Sequence, residues 1–181
     1  KNKYSQYIRH AQFFEAISDQ PAKWTTTSMP LGEIKVMNYP AEGCSKIKLV
    51  ALMGGTGHFL NQFPRIKNHI HALQSPEIEF VYSHAAWWHA APKYSDVILP
   101  VRHIGERDDI VQWENYAVYS HSVVEPLGEP KNDVDIFVEL AKRLGFEEEL
   151  TMGKSPEQWL REIYARLGIP LLFGEFFRAA Y

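Results

Sequence analysis

Between Lys46 and Leu99 the chain switches twice between the period of a strand and the period of a helix. Lys46 to Met53 is a short apolar run that reads as a strand, and Gly54-Gly55-Thr56-Gly57 breaks it. Residues 61–73 then carry Phe63, Ile66, Ile70 and Leu73 at helical spacing. Ile78 to Ser83 reads as a second strand, and Val97 to Leu99 as a third, stopped by Pro100. Strand, glycine turn, helix, strand leaves few architectures, because parallel neighbours need a crossover that a helix supplies. The expectation is an α/β fold: an open, mostly parallel sheet with flanking helices, Rossmann-like. The near-continuous apolar strands suit a sheet covered on both faces.

The flanks are less constrained. Residues 4–18 place Tyr4, Tyr7, Ile8, Ala11, Phe14 and Ile17 at helical spacing, with Pro21 just beyond. Residues 20–45 are rich in Pro, Gly, Thr and Ser and read as an extended surface connection, with Trp24 and Met29 as anchors. Residues 116–124 favour a β segment. Asn132 can cap a helix whose apolar stripe is Val134, Phe137, Val138, Ala141 and Leu144, with Gly145 as a left-handed stop. Ser155-Pro156-Glu157-Gln158 is a capping box opening a last helix, with Trp159, Leu160, Ile163 and Leu167 on its buried face. The expected division is a lead-in over 1–45, an α/β domain over 46–150, and a helix with the start of a linker over 151–181.

Composition excludes several classes. A chain of 181 residues with net charge −3 and no basic stripe does not suit a nucleic-acid backbone. No apolar run is long enough to span a bilayer. Cys44 is the sole cysteine, which removes an internal disulfide or an all-cysteine metal or iron–sulfur site within these residues. The chain starts at Lys1 without a signal-peptide pattern, so it reads as a fragment or a processed chain, and its compartment stays open.

Four groups of residues could carry chemistry. The Gly54 to Gly57 turn follows a strand, where glycines let backbone N–H groups approach a phosphate. A turn that merely needs positive φ explains it equally well. Ser83 and His84 end the second strand, and Trp87, Trp88 and His89 follow, suiting either a planar heterocycle or packing against a neighbour. Glu106, Arg107, Asp108 and Asp109 form a charge cluster. A carboxylate there can accept two N–H bonds from a guanine edge, although bare clusters of this kind are more often solvated loops with internal salt bridges. The eight histidines show no zinc spacing: His69 and His71 do not share a helix face, and His10, His58, His103 and His121 stand alone. No nucleophile elbow or catalytic dyad is visible.

One ordered set of motifs goes further. Tyr94-Ser95-Asp96-Val97-Ile98-Leu99-Pro100 is followed by Glu106-Arg107-Asp108-Asp109-Ile110, then Val124-Glu125-Pro126-Leu127-Gly128-Glu129. Asp133-Val134-Asp135-Ile136-Phe137 then leads into Glu139 to Gly145. Over roughly residues 40–165 this set resembles the catalytic subunits of molybdopterin oxidoreductases of the dimethyl sulfoxide reductase type. The approach from Tyr39 to Lys48 and the Glu175 to Tyr181 ending are similar to their pyrogallol–phloroglucinol transhydroxylase branch.

The resemblance implies a domain that binds one nucleotide of a bis(molybdopterin guanine dinucleotide) cofactor carrying molybdenum or tungsten. The metal ligand and any iron–sulfur cysteines would lie in an earlier domain, so these residues alone would be catalytically silent. By position, Gly54 and Gly55 match the family's Gly-Gly-Asn-Pro loop, while Thr56 and Gly57 replace its Asn and Pro. Gln62 matches a His-Gln pair in which Asn61 departs from the pattern. Ser83 and His84 fall at a strand end near the nucleotide, and Asp109 is the expected partner of the guanine base. Implied partners are the other domains of the same subunit, an iron–sulfur electron-transfer subunit and a small-molecule substrate. The rival readings are a stand-alone guanine-nucleotide module and a non-catalytic interaction domain.

Overall fold

The computed structural model describes residues 6, 8–18, 21–28, 33–53, 60, 64–113 and 116–166. The chain forms two compact units, Lys1–Leu99 and Pro100–Tyr181.

In the first unit a 3-10 turn, His10–Gln12, leads into α1 (Phe13–Ser18). The helix expected over 4–18 is thus a turn and a half near the end of that range, and residues 1–5 and 7 lie outside the described ones. Next come β1 (Ala22–Ser28) and β2 (Glu33–Tyr39), paired antiparallel from Ala22↔Tyr39 to Ser28↔Glu33. The segment expected to be an extended surface connection is thus extended, but paired as a hairpin. Thr25-Thr26-Thr27, Ile34 and Val36 are β-branched residues that favour a pleated strand. The flanking Pro and Gly residues hid that preference.

The parallel layer follows as expected. β3 (Leu49–Leu52), α2 (Ile66–Leu73), β4 (Phe80–Ala85) and β5 (Val97–Pro100) alternate along the chain. The sheet order is β3-β4-β5. β3 runs parallel to β4, from Leu49↔Phe80 to Leu52↔Ser83. Phe13, Ile17, Leu52, Leu73 and Val81 are buried together, so α1 and α2 share one core with the sheet. A second cluster joins Ala16, Ala22 and Tyr39. The Tyr39 hydroxyl is its polar exit, accepting the Ile47 N–H at 2.6 Å.

His69 shows why α2 carries a histidine on an inward face. It is 2% exposed. Its Nε2 lies 2.8 Å from the His10 carbonyl oxygen, and its ring stacks on Phe13 at 6.4 Å. A buried imidazole here pins the lead-in turn to α2. His69→Leu keeps apolar volume but leaves a carbonyl without this donor. It is expected to cost about 1–3 kcal/mol in urea unfolding. A variant as stable as wild type would remove the pin.

In the second unit β6 (Asp109–Trp113) and β7 (Tyr116–Ser120) pair antiparallel, starting at Asp109↔Ser120. Three helices follow: α3 (Asp133–Leu144), α4 (Glu147–Thr151) and α5 (Pro156–Arg166). Gly145 ends α3 at φ 81°, and the Phe146 N–H returns to the Ala141 carbonyl at 3.0 Å, the left-handed stop read from the sequence. Asn132 sits at the N-cap, but its side chain makes no capping bond; its Nδ2 donates to Asp135 instead. The Ser155 box forms in both directions: Ser155 N–H to Gln158 Oε1 at 2.7 Å, and Gln158 N–H to Ser155 Oγ at 3.3 Å.

The expected buried face of α5 is only partly covered. Tyr164 is buried, Trp159 and Leu160 are half-buried and Ile163 is exposed. Leu167 lies outside the described residues. The reason is a cleft of about 1090 Å³ lined by Val134, Phe137 and Val138 of α3 and Trp159, Leu160 and Ile163 of α5. Among the described residues no helix is long and apolar enough to cross a membrane.

Candidate functional site

The carboxyl end of β4 is one candidate. Successive strand residues face opposite ways, so Ser83 and His84 are adjacent in sequence but not on one face. His84 shares a face with Tyr82, their rings 5.7 Å apart, whereas Ser83 shares the face of core residue Val81. Both are 1% exposed. The Ser83 Oγ is buried and meets no hydrogen-bond partner among the described residues. Just beyond, Trp87 and Trp88 are 54% and 68% exposed. His89 is the polar group between them and the next turn. Burial holds its imidazole below the ordinary range, so the neutral form dominates near pH 7. Its Nδ1 accepts the Ala91 N–H at 3.4 Å, which places the ring proton on Nε2, a buried atom with no partner among the described residues. Buried polar atoms of this kind need a partner, which a ligand, an ordered water or a neighbouring segment can each supply.

The acidic turn belongs to the second unit and forms a site of its own. Arg107 Nε and Nη2 lie 3.1 and 3.0 Å from Asp109 Oδ2, while Asp109 Oδ1 accepts the Ile110 N–H at 2.8 Å. Arg107 Nη1 reaches the Arg102 carbonyl at 3.2 Å and Asp133 Oδ2 at 3.4 Å. Asp108 accepts the Ser122 N–H at 2.9 Å. Arg107, Asp108, Asp109 and Asp133 all line the cleft between α3 and α5. The internal salt bridges of the bare-cluster reading and an acid facing a concave surface are therefore both present.

Glu106 clasps this turn to the following loop. Its carboxylate accepts the His103 N–H at 2.8 Å and the Leu127 N–H at 3.1 Å. Those two bonds hold its carboxyl below the ordinary carboxylate range. A lowered folded value means the clasp contributes fully above the unfolded value and is lost as pH falls through the folded one. Amide exchange at Leu127 is expected to stay slow near neutrality and to quicken relative to its intrinsic rate on acidification. An unchanged protection factor down to the acid limit of folding would exclude the clasp.

Gly54, Gly55, Thr56, Asn61 and Gln62 lie outside the described residues. Reading the sequence missed Arg107 as a hub and Asp133 as its second anchor. The available signal was an arginine two residues before an acid, with Asp133 only later in the chain. Among the described residues no group of three or more His, Cys, Asp or Glu side chains could hold a metal ion.

Comparison with known proteins decides the family. The molybdopterin oxidoreductase profile matches residues 20–143, more than half of the chain. The chain belongs to the molybdopterin oxidoreductase family. The motif resemblance in the sequence is thereby borne out. The large subunit of pyrogallol hydroxytransferase from Pelobacter acidigallici is 28% identical over 201 residues, covering 97% of this chain and 22% of that protein. Trimethylamine-N-oxide reductase from Haemophilus influenzae is 39% identical over 99 residues, 52% of this chain and 12% of its own length. Trimethylamine-N-oxide reductase 1 from Escherichia coli is 29% identical over 168 residues, 89% and 18% respectively. This molybdopterin oxidoreductase chain thus spans about a fifth or less of the curated relatives it matches.

Proposed function

We propose that this chain is the part of a molybdenum or tungsten oxidoreductase that holds a guanine dinucleotide arm of a bis(molybdopterin guanine dinucleotide) cofactor. The observation that carries the reading is Asp109: an acid with fixed partners that lines a concave surface, within the matched region. The residues present fit such a group. Ser83 Oγ and His89 Nε2 are buried polar atoms with no partner among the described residues, and Asp109 keeps an acceptor position for an N–H donor of a guanine edge. When bound, the cofactor supplies the redox-active metal and the pterin that tunes it.

The role of this chain is binding and orientation. Asp109 selects the base. The Gly54-Gly55 backbone and Thr56 are assigned to the pyrophosphate, and Asn61 and Gln62 to the same cofactor. Ser83 and His84 hold the nucleotide at the carboxyl end of β4. The whole enzyme performs redox, hydroxyl-transfer or hydration chemistry on a small molecule. It does so with the remaining domains of its subunit and, in some arrangements, an iron–sulfur electron-transfer subunit.

The test is composition. The full-length polypeptide, purified from its source, is analysed for molybdenum and tungsten by mass spectrometry and for GMP released by acid hydrolysis. Metal accompanied by guanine nucleotide supports the reading. Metal with pterin but no nucleotide, or nucleotide without metal, sinks it; the second outcome points to a plain nucleotide-binding module.

A further inference from the structure

The Arg107 guanidinium uses its fork in an unequal way. Both Nε and Nη2 approach the same oxygen of Asp109, Oδ2, at 3.1 and 3.0 Å. The other oxygen, Oδ1, takes only the N–H of Ile110, at 2.8 Å, among the contacts of the described residues. A carboxylate offers about four acceptor positions, two on each oxygen. Oδ2 is therefore filled, and Oδ1 keeps one position for an incoming donor. The opposite end of the guanidinium is tied down too, with Nη1 on the Arg102 carbonyl at 3.2 Å and on Asp133 Oδ2 at 3.4 Å. Asp133 lies in the first turn of α3, so the fork joins the segment before the turn, the start of β6 and a helix. Arg107 and Asp109 are 27% and 33% exposed in their side chains, which leaves the carboxylate reachable while its orientation is held.

From this arrangement we infer that Arg107 is the positioning residue for base selection: it fixes Asp109 so that Oδ1 alone meets the purine edge. This rests on the reading of Asp109 as the guanine partner. A 6-oxopurine presents an N1–H donor, which suits a single fixed acceptor. A 6-aminopurine presents an acceptor at N1 and its donor on the exocyclic amine, displaced from that point. A fixed oxygen rejects it; a carboxylate free to swing follows the amine and accepts it. Lysine cannot replace the fork, because one ammonium on a flexible stem makes no planar pair of bonds.

The experiment measures GMP and AMP binding to the full chain by calorimetry, for wild type, Arg107→Lys and Asp133→Asn. Wild type is expected to favour GMP about tenfold or more, the scale of one hydrogen bond to a charged group. In Arg107→Lys the preference is expected to fall within about threefold through gain of AMP binding. Asp133→Asn loosens one anchor and is expected to lower the ratio by a smaller factor. If wild type shows no GMP preference, the Asp109 reading itself fails. If wild type is selective and both variants keep its ratio, the role of Arg107 is overturned while Asp109 stands. Should Arg107→Lys lose its circular-dichroism spectrum, Asp133→Asn decides: a lowered ratio supports the positioning role, and an unchanged ratio overturns it.

Discussion

Asp109→Ala is expected to lower the guanine-nucleotide content of the full-length enzyme about tenfold or more, the loss of at least one charge-assisted bond to the base. The argument starts from what surrounds the acid. Arg107 Nε and Nη2 lie 3.1 and 3.0 Å from Oδ2, and the same guanidinium reaches Asp133. Removing Asp109 deletes the acceptor and leaves the fork held by Asp133 and the Arg102 carbonyl. The cleft loses its ordered carboxylate while the helices that wall it keep their packing. Asp109→Asn is the stricter control, because the amide preserves shape and places a donor where one oxygen stood. Both variants are checked by GMP release and by metal per polypeptide, against a circular-dichroism spectrum matching wild type. Normal nucleotide content in the well-folded Asn variant would remove Asp109 from the site.

Tyr39→Ala is expected to carry the largest stability loss, about 3–5 kcal/mol, as for other large aromatic truncations in a core. Tyr39 is fully buried beside Ala16 and Ala22. The alanines have no atoms with which to refill the space. Its hydroxyl also accepts the Ile47 N–H at 2.6 Å, two residues before β3. Truncation therefore opens a cavity where the β1–β2 pair meets α1 and frees the entrance to the parallel sheet. Tyr39→Phe separates the two effects: it keeps the ring and loses only the hydrogen bond, for about 1–3 kcal/mol. Native stabilities total about 5–15 kcal/mol, so the alanine variant should unfold well below the wild-type midpoint in urea or heat. Equal losses for the two variants would show that the hydroxyl, not the packing, matters.

What the sequence disclosed divides by the range of the interactions involved. The parallel layer was legible because β3, α2 and β4 each carry their own periodicity, and in the sequence a glycine run stands between the first two. The Gly145 stop and the Ser155 box were legible because capping is settled within a few residues. The β1–β2 pair was not, since a Thr-rich strand flanked by Pro and Gly looks like a linker until a partner lies beside it. Asn132 was expected to cap α3, but Asp135 competes for its side chain, and propensity does not record competition. The same holds at the acidic turn. Asp109 could be picked out by its motif, whereas its link through Arg107 to Asp133 joins residues 26 apart and depends on the fold.

The pairings of the strands also set an order of events. In β1–β2 and β6–β7 the inner partners, Ser28↔Glu33 and Trp113↔Tyr116, are only a few residues apart. Such local pairs close within microseconds. The parallel β3–β4 pair must bring Lys48 to Glu79 across 31 residues before any of its bonds form. Loop-closure entropy makes that the late step, since non-local pairing follows local structure in time. Ser83, at the end of that register, faces Leu52 only once the closure is complete. The carboxyl end of β4 is therefore assembled last, so a newly made polypeptide must finish its longest-range pairing before Ser83 takes its place beside Leu52.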